Sequence, residues 1–194
     1  MPQHPIRLFI ANYVSIADSD WQEIEVAFER FETDKGAIIL QEGKICRYLY
    51  FLESGLLRFY LTKDGKDVTK FFTDAPYMFT SQVSFSSQTP AKETIQAIEK
   101  SVVWQISLTQ ANQLLRFPVW SEFIRKLIQE VQYYTEEILS EMQTETAETR
   151  YEIMLKNKPD WLQRIPLKYL ASYLGIAMPS LSRIRKKFQS QSGS

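Results

Sequence analysis

Leu167-Lys168-Tyr169-Leu170-Ala171-Ser172-Tyr173-Leu174-Gly175-Ile176-Ala177-Met178-Pro179-Ser180-Leu181-Ser182-Arg183-Ile184-Arg185-Lys186-Lys187-Phe188 reads as two short helices joined by a sharp turn. Leu167, Leu170 and Leu174 recur at spacings of three and four, which draws one apolar stripe along the first helix. Ala171 lies beside that stripe, where a crossing helix leaves room only for a small side chain. Gly175 supplies the positive φ that a sharp reversal requires. Met178 is placed as N-cap of the second helix and Pro179 as its first residue, since proline's fixed φ is helical and its missing N–H has no partner there. Leu181, Ile184 and Phe188 then face inward, leaving Ser180, Ser182, Arg183, Lys186 and Lys187 outward.

A small residue, a glycine four later, and apolar positions six and nine beyond the glycine match the geometry of a helix-turn-helix. An amphipathic hairpin with a solvated basic face has the same spacing. Charge separates the two readings. From Trp161 onward the chain carries six basic side chains (Arg164, Lys168, Arg183, Arg185, Lys186, Lys187) and no Asp or Glu. The whole chain balances 23 basic against 23 acidic residues, so the part before Trp161 holds 17 against 23. A basic end on an acidic body suits contact with a polyanion.

Upstream, residues 35–106 alternate with the period of strands. The apolar runs are Ala37–Leu40, Tyr48–Leu52, Leu56–Leu61, Val68–Phe72, Thr94–Ile98 and Ser101–Ile106. Asp64-Gly65 between two of them is a hairpin signal, and Gly43 and Gly55 mark other turns. Six or more short strands in this span predict an α+β protein whose N-terminal part is a jelly roll, or double-stranded β-helix. Met1 to about Phe31 reads as a helical lead-in, with Trp21, Ile24, Phe28 and Phe31 on one side. Residues 118 to about 150 contain no Gly or Pro after Pro118 and read as one long helix. Ile124, Leu127, Val131, Tyr134 and Ile138, spaced 3, 4, 3, 4, predict a coiled-coil seam and hence a homodimer, with Phe123, Ile128 or Leu139 packed on the β-roll. Tyr151–Asn157 continues as a further short helix that Lys158-Pro159-Asp160 ends. The boundaries expected are residues 1–117 for the roll with its lead-in, 118–149 for the dimerisation helix, and 150–194 for the helix-turn-helix. The polar run Gln189–Ser194 is expected to be a disordered tail without a β-wing.

The helix-turn-helix segment resembles the DNA-binding end of the cyclic-AMP receptor protein and Fnr (Crp/Fnr) family of bacterial regulators. Tyr173-Leu174-Gly175-Ile176 and Leu181-Ser182-Arg183-Ile184-Arg185-Lys186-Lys187 are most similar to its Bacteroidetes-type members. Lys35-Gly36, Glu42-Gly43 and Tyr50-Phe51-Leu52 running to Gly55 follow the family's cyclic-nucleotide-binding-like domain. Ser84–Ala97 resembles its phosphate-binding cassette. The resemblance implies double-stranded DNA as partner, with RNA polymerase a further one, and a cytoplasmic homodimer on a palindromic operator. It puts Arg183 in the place of a guanine-reading arginine, whose fork matches guanine O6 and N7. Ser180, Ser182, Lys168, Lys186 and Lys187 would lie along the DNA, with Ser180 and the lysines on phosphates.

The cassette departs from cyclic-nucleotide binders. Aligned from Pro90, the place of the family's phosphate-neutralising Arg is Ala91, and its Ser is Lys92. The Gly-Glu pair that grips the ribose falls near Thr80 and Ser81. No glycine occurs between Gly65 and Gly175. Cyclic AMP and cyclic GMP are therefore not expected as ligands. The effector is unassigned, and the pocket residues expected are Tyr77, Phe79, Ser81, Phe85, Ala91 and Lys92.

No run of 18 apolar residues predicts a membrane span, and no signal peptide is read. Cys46 is the one cysteine and His4, in the N-terminal tail, the one histidine. That count leaves no disulfide, iron–sulfur cluster, cupin-type metal site or His-dependent catalytic triad. The chain is expected not to be an enzyme, and to use no metal or cofactor. A small-molecule-sensing or protein-interaction module that no longer binds DNA is the alternative, and the exposed Arg183/Lys186/Lys187 face separates the two.

Overall fold

A computed structural model describes residues 4–191. Two short helices, α1 (Pro5–Ala11) and α2 (Asp18–Glu25), lead into β1 (Glu29–Thr33), β2 (Ile38–Leu40), β3 (Tyr48–Ser54), β4 (Leu56–Lys63), β5 (Lys66–Asp74) and β6 (Tyr77–Phe79). Helix α3 (Gln82–Ser87) precedes β7 (Thr94–Ala97) and β8 (Ser101–Ser107). Then follow α4 (Leu108–Leu114), α5 (Pro118–Thr144), α6 (Ala147–Asn157), α7 (Trp161–Arg164), α8 (Leu167–Leu174) and α9 (Met178–Gln191).

The strands form two antiparallel sheets, the first ordered β1-β8-β3-β6 and the second β2-β7-β4-β5. The β4–β5 hairpin closes at Asp64 and Gly65, with Lys63 opposite Lys66. Their φ values of 52° and 70° are both positive, as a two-residue hairpin turn requires. Alternation along each strand sends side chains to two environments. Tyr50, Leu52, Leu57, Phe59, Ile95 and Val103 meet in an inner core. Leu49 and Phe51 instead face out from the first sheet, into a second core built from α1, α2, α4 and α5. Leu56 and Phe72 face out from the second sheet, into a third core shared with α6–α9.

The jelly roll stands as expected, with four differences. Glu29–Thr33, assigned to the helical lead-in, is strand β1, pairing Phe31 with Val103. Helix α2 ends at Glu25, Phe28 lies in the connection to the sheet, and Phe31 belongs to the strand. The long helix ends at Thr144, not near Arg150: Thr146 caps α6 by accepting from the Thr149 N–H. The expected tail is helical as far as Gln191, since α9 continues through Gln189 and Ser190. Ser192–Ser194 lie outside the described residues. His4 is not a free tail residue. Its Nδ1 accepts from the Ile6 N–H at 3.3 Å, capping α1, and its ring packs against Trp21 and Trp104 with centroids 5.0 and 4.5 Å away.

Candidate nucleic-acid interface and effector pocket

Helices α8 and α9 make the helix-turn-helix. Gly175 ends α8 at φ 71°, and the Ile176 N–H donates back to Ala171 O at 3.0 Å. Helix α9 starts at Met178, so the cap falls on Ala177, one residue earlier than expected: Ala177 O accepts from Ser180 and Leu181. Leu170, Ala171, Leu174 and Leu181 are buried, with Leu167, Ile184 and Phe188 packed at the edge of the same core. That burial fixes which side of α9 faces water. Lys168, Ser182, Arg183, Lys186 and Lys187 are exposed, and Ser180 is half-buried. Arg183, Lys186 and Lys187 lie within five residues on one solvent face of α9. Lys187 also pairs with Glu148 of α6.

The helix-turn-helix unit is held against the second sheet by contacts whose partners lie 65 or more residues apart in sequence. Edge strand β5 leaves the Thr69 N–H and Asp67 O unpaired in the sheet, and the Ser172 hydroxyl takes both, at 2.9 and 3.0 Å. Arg58 of β4 is 1% exposed, and its guanidinium lies between the rings of Tyr60 and Tyr169, 3.8 and 3.7 Å from their centroids. Its Nη2 donates to Asp67 and Gln96, at 2.9 Å each. Arg164 of α7 forks onto Glu99 at 2.6 and 3.1 Å, a bidentate geometry that favours arginine. Hydrogen bonding to Glu99 holds the Arg164 guanidinium above its ordinary pKa. Sequence reasoning missed this surface. Its only signal was a charged residue, Arg58, inside the apolar run Leu56–Leu61.

The expected pocket residues do not share one cavity. Phe79 and Ala91 are buried in the inner core, where Tyr50 stacks on Phe79 at 5.1 Å and Phe59 on Phe71 at 4.2 Å. Phe59 meets Phe79 edge-on at 5.9 Å, closing the chain of rings. Buried Ser81 donates to Glu93 at 2.6 Å, and Lys70 pairs with the same carboxylate at 3.1 Å. Lys92 is exposed, and Phe85 wedges between the inner core and the α1/α5 core. Tyr77 opens onto a cleft shared with α5. A cyclic nucleotide does not fit these residues. Its phosphate would meet Ala91 and the Glu93 carboxylate, and Lys70 is already committed to Glu93. Buried Cys46 anchors the cassette: its N–H donates to Ser84 Oγ at 2.8 Å.

Of the row expected as a seam on α5, not every residue is open to a partner. Leu127 is 6% exposed and buried in the chain's own core with Phe123 and Trp120, as that side of the helix faces the roll. Ile128 and Leu139, expected to pack on the roll, are instead 50% and 52% exposed. Tyr134 lines the cleft shared with Tyr77. A second row, Ile124, Ile128, Val131, Thr135, Ile138 and Met142, spaced 4, 3, 4, 3, 4, is half-exposed or exposed throughout, with Ile124 at its start touching the core.

Residues 30–116 match the family model of the cyclic nucleotide-binding domain. The chain is similar in structure to a variant of CooA from Carboxydothermus hydrogenoformans, at 17% identity and TM-score 0.70, covering 98% of this chain and 86% of that one. It is similar to a Crp/Fnr-family transcriptional regulator of Eubacterium rectale, at 18% identity and TM-score 0.70, over 93% and 88% of the two chains. FixK2 from Bradyrhizobium japonicum matches at 19% identity and TM-score 0.70, over 85% and 86%. No curated protein sequence matches the chain significantly. The roll is therefore similar to cyclic nucleotide-binding domains, and the chain as a whole has the fold of Crp/Fnr transcription regulators.

Proposed function

We propose that this chain is a DNA-binding transcription regulator that works as a homodimer on a palindromic operator in the cytoplasm. The observation that carries the reading is the α8–α9 unit, whose apolar side is buried and whose solvent side presents Lys168, Arg183 and Lys186 with no acidic residue after Asp160. Arg183 reads a base edge, and Lys168, Lys186 and Lys187 with Ser180 and Ser182 seat the helix on the backbone. Selection of genomic fragments by the purified protein recovers the operator. On it, Arg183→Ala relaxes preference at one base pair per half-site, costing about 1–3 kcal/mol. Lys186→Ala weakens binding to all DNA and flattens the salt dependence. Variants that bind operator and random DNA as the parent does would overturn the assignment.

Dimerisation uses the half-exposed row Ile124, Ile128, Val131, Thr135, Ile138 and Met142, a heptad spacing that two copies of α5 can share. Ile128→Glu leaves a folded monomer in sedimentation, because Ile128 is free of the chain's own core. Leu127→Glu unfolds the protomer by burying an unpaired charge. A parent that sediments as a monomer at micromolar concentration would defeat the seam. The roll acts without a cyclic nucleotide: calorimetry should show no saturable heat with cyclic AMP or cyclic GMP up to roughly millimolar ligand, equivalent to about −4 kcal/mol.

A further inference from the structure

A cavity of about 470 Å³ opens between β1, β3 and β8 of the first sheet and the edge strand β2 of the second. Strand register builds its wall. Glu29 lies opposite Gln105, Gln105 opposite Tyr50, and Tyr50 opposite Phe79, so these four share one row across the inner face of the first sheet. The next row, Phe31, Val103 and Leu52, lies in or against the inner core. The inner face therefore turns from apolar to polar within one step of the ladder. None of the expected effector-pocket residues lines this cavity, and none of its walls comes from Ser84–Ala97.

One group on the wall is buried and unpaired. Tyr50 is 4% exposed, and its phenol hydroxyl has no hydrogen-bond partner among the described residues. Strand β3 is hydrogen-bonded on both edges, to β8 and β6, so the cavity meets Tyr50 through its side chain. Unlike the buried nitrogens of Arg58 and Trp161, the phenol oxygen is not sealed inside protein. A buried donor left unpaired costs free energy that a ligand oxygen recovers. Burial first, then nearby Cys46 and Tyr48, holds that phenol above its usual pKa, so it keeps its proton and donates. Tyr48, two residues along the same face, presents a second hydroxyl without a partner among the described residues. Acceptors stand in the same row. Gln105 Nε2 donates to Glu29 at 3.3 Å, which leaves the Gln105 carbonyl oxygen and the second Glu29 oxygen without donors among the described residues. Arg30, on the opposite face of β1, is held by Glu32 and Glu53 at 3.2 and 3.7 Å.

A ligand for this wall must accept from phenols and donate to a carboxylate and an amide carbonyl. Hydroxyl groups do both. An ammonium only donates, and a phosphate would meet the Glu29 charge with Arg30 already committed elsewhere. Phe31 and Ile39 add an apolar patch to the same cavity, suited to the C–H face of a sugar ring. We infer that this cavity binds a small neutral polyol, a monosaccharide in its ring form. Its hydroxyls donate to Glu29 and Gln105 and accept from Tyr50, and its C–H face lies on Phe31. The volume falls within the range of small-molecule sites, roughly 300–1,000 Å³. The site does not rest on the DNA-binding reading above.

The test uses the full chain with glucose, galactose and mannose, each against its 2-amino-2-deoxy counterpart. Calorimetry with at least one of the three sugars saturates below about 1 mM, and its amino counterpart binds no more tightly. Tyr50→Phe removes one oxygen and keeps the ring stacked on Phe79, so the parent's melting temperature is kept and binding of that sugar weakens at least about tenfold. Glu29→Gln, at an exposed position, keeps the shape and the fold, loses the charged acceptor, and weakens binding by a similar factor. No saturation by any of the three sugars up to about 10 mM would overturn the site. So would a folded Tyr50→Phe or Glu29→Gln variant that binds the sugar as the parent does. An amino sugar that binds about tenfold more tightly than its parent sugar would overturn the polyol assignment, because charge would then dominate recognition.

Discussion

Each sheet of the roll turns one face to the inner stack of rings and the other to a helical cover, and the two covers differ in chemistry. The first sheet is covered by Ile6, Phe9, Ile10, Trp21, Ile24, Trp120 and Phe123, all buried and all apolar. The second is covered by the helix-turn-helix unit, whose apolar core is crossed by Arg58 between two tyrosines, by Ser172 on the edge of β5, and by the Arg164–Glu99 and Lys158–Asp74 pairs. An apolar cover that separates exposes its whole area to water at roughly 25 cal/mol per Å². A polar contact that separates exchanges its partners for water at a net cost of only about 1 kcal/mol. Interfaces between parts that move are characteristically more polar than cores. The apolar cover therefore belongs to the fold, and the polar one is where the helix-turn-helix unit would part from the roll.

The largest effect expected is in the apolar cover. Phe123 is fully buried, with its ring against Phe9, Tyr13 and Trp120. Phe123→Ala should lower unfolding stability by about 3–5 kcal/mol through lost transfer energy and the cavity left behind. A urea titration that finds a loss under about 1 kcal/mol would break the comparison, since the first cover would then be no tighter than the second.

In the polar cover, Ser172→Ala should cost less, about 1–2 kcal/mol, because it leaves the Thr69 N–H of a buried residue without its acceptor. Its sharper reading is local. Hydrogen exchange should quicken at β5 and α8 and stay unchanged at α1 and α2, whereas a global change at all four would show that the covers unfold as one.

Arg58→Met should be smaller still, within about 1 kcal/mol of the parent in either direction. One nitrogen, Nη2, makes both of the hydrogen bonds of Arg58, and Nε and Nη1 are buried without partners among the described residues. Methionine keeps the stem packed between Tyr60 and Tyr169, loses the cation–π contacts, and removes the cost of burying a charge. Gln96 still reaches Gly36 O, and Asp67 is open enough to turn to water. A loss of several kcal/mol would mean that the guanidinium itself holds the unit in place.

Much of this division was legible in the sequence, and the failures follow from what periodicity can carry. The Asp64-Gly65 hairpin and the stripe Leu167, Leu170, Leu174 could be read because local geometry alone demanded those residues. Strand β1 was lost because Glu29-Arg30-Phe31-Glu32-Thr33 is an edge strand, largely solvent-facing, and shows no apolar alternation. The rows of α5 could not be told apart because two heptad rows share Ile124, Val131 and Ile138, and only tertiary packing shows that Leu127 is spent on the protomer's own core. The docking surface was illegible for a different reason. Ser172 and Arg58 meet partners that nothing local specifies, and a serine on a helix reads as solvent-facing until the sheet edge beside it is known.

The smallest effect concerns a histidine packed into the apolar cover. His4 accepts the Ile6 N–H through Nδ1, which it can do only while that nitrogen is unprotonated. Burial lowers its pKa below the ordinary value near 6.5, against the opposing pull of Glu25 and Glu53. Between the folded and unfolded values, the unfolded chain binds a proton that the folded chain refuses, so stability rises with pH in that window. The contribution is therefore complete above about pH 6.5 and is lost as pH falls through the lower folded value. His4→Asn keeps a side-chain acceptor at the cap and removes the titration. Urea midpoints at several pH values from about 7.5 down to about 5 should fall more steeply in the parent than in the variant. The carboxylates common to both proteins cancel in the difference. Parallel curves would mean that His4 is as open to protons in the fold as in the unfolded chain, and the first cover would then admit water at its edge where Trp21 and Trp104 close over it.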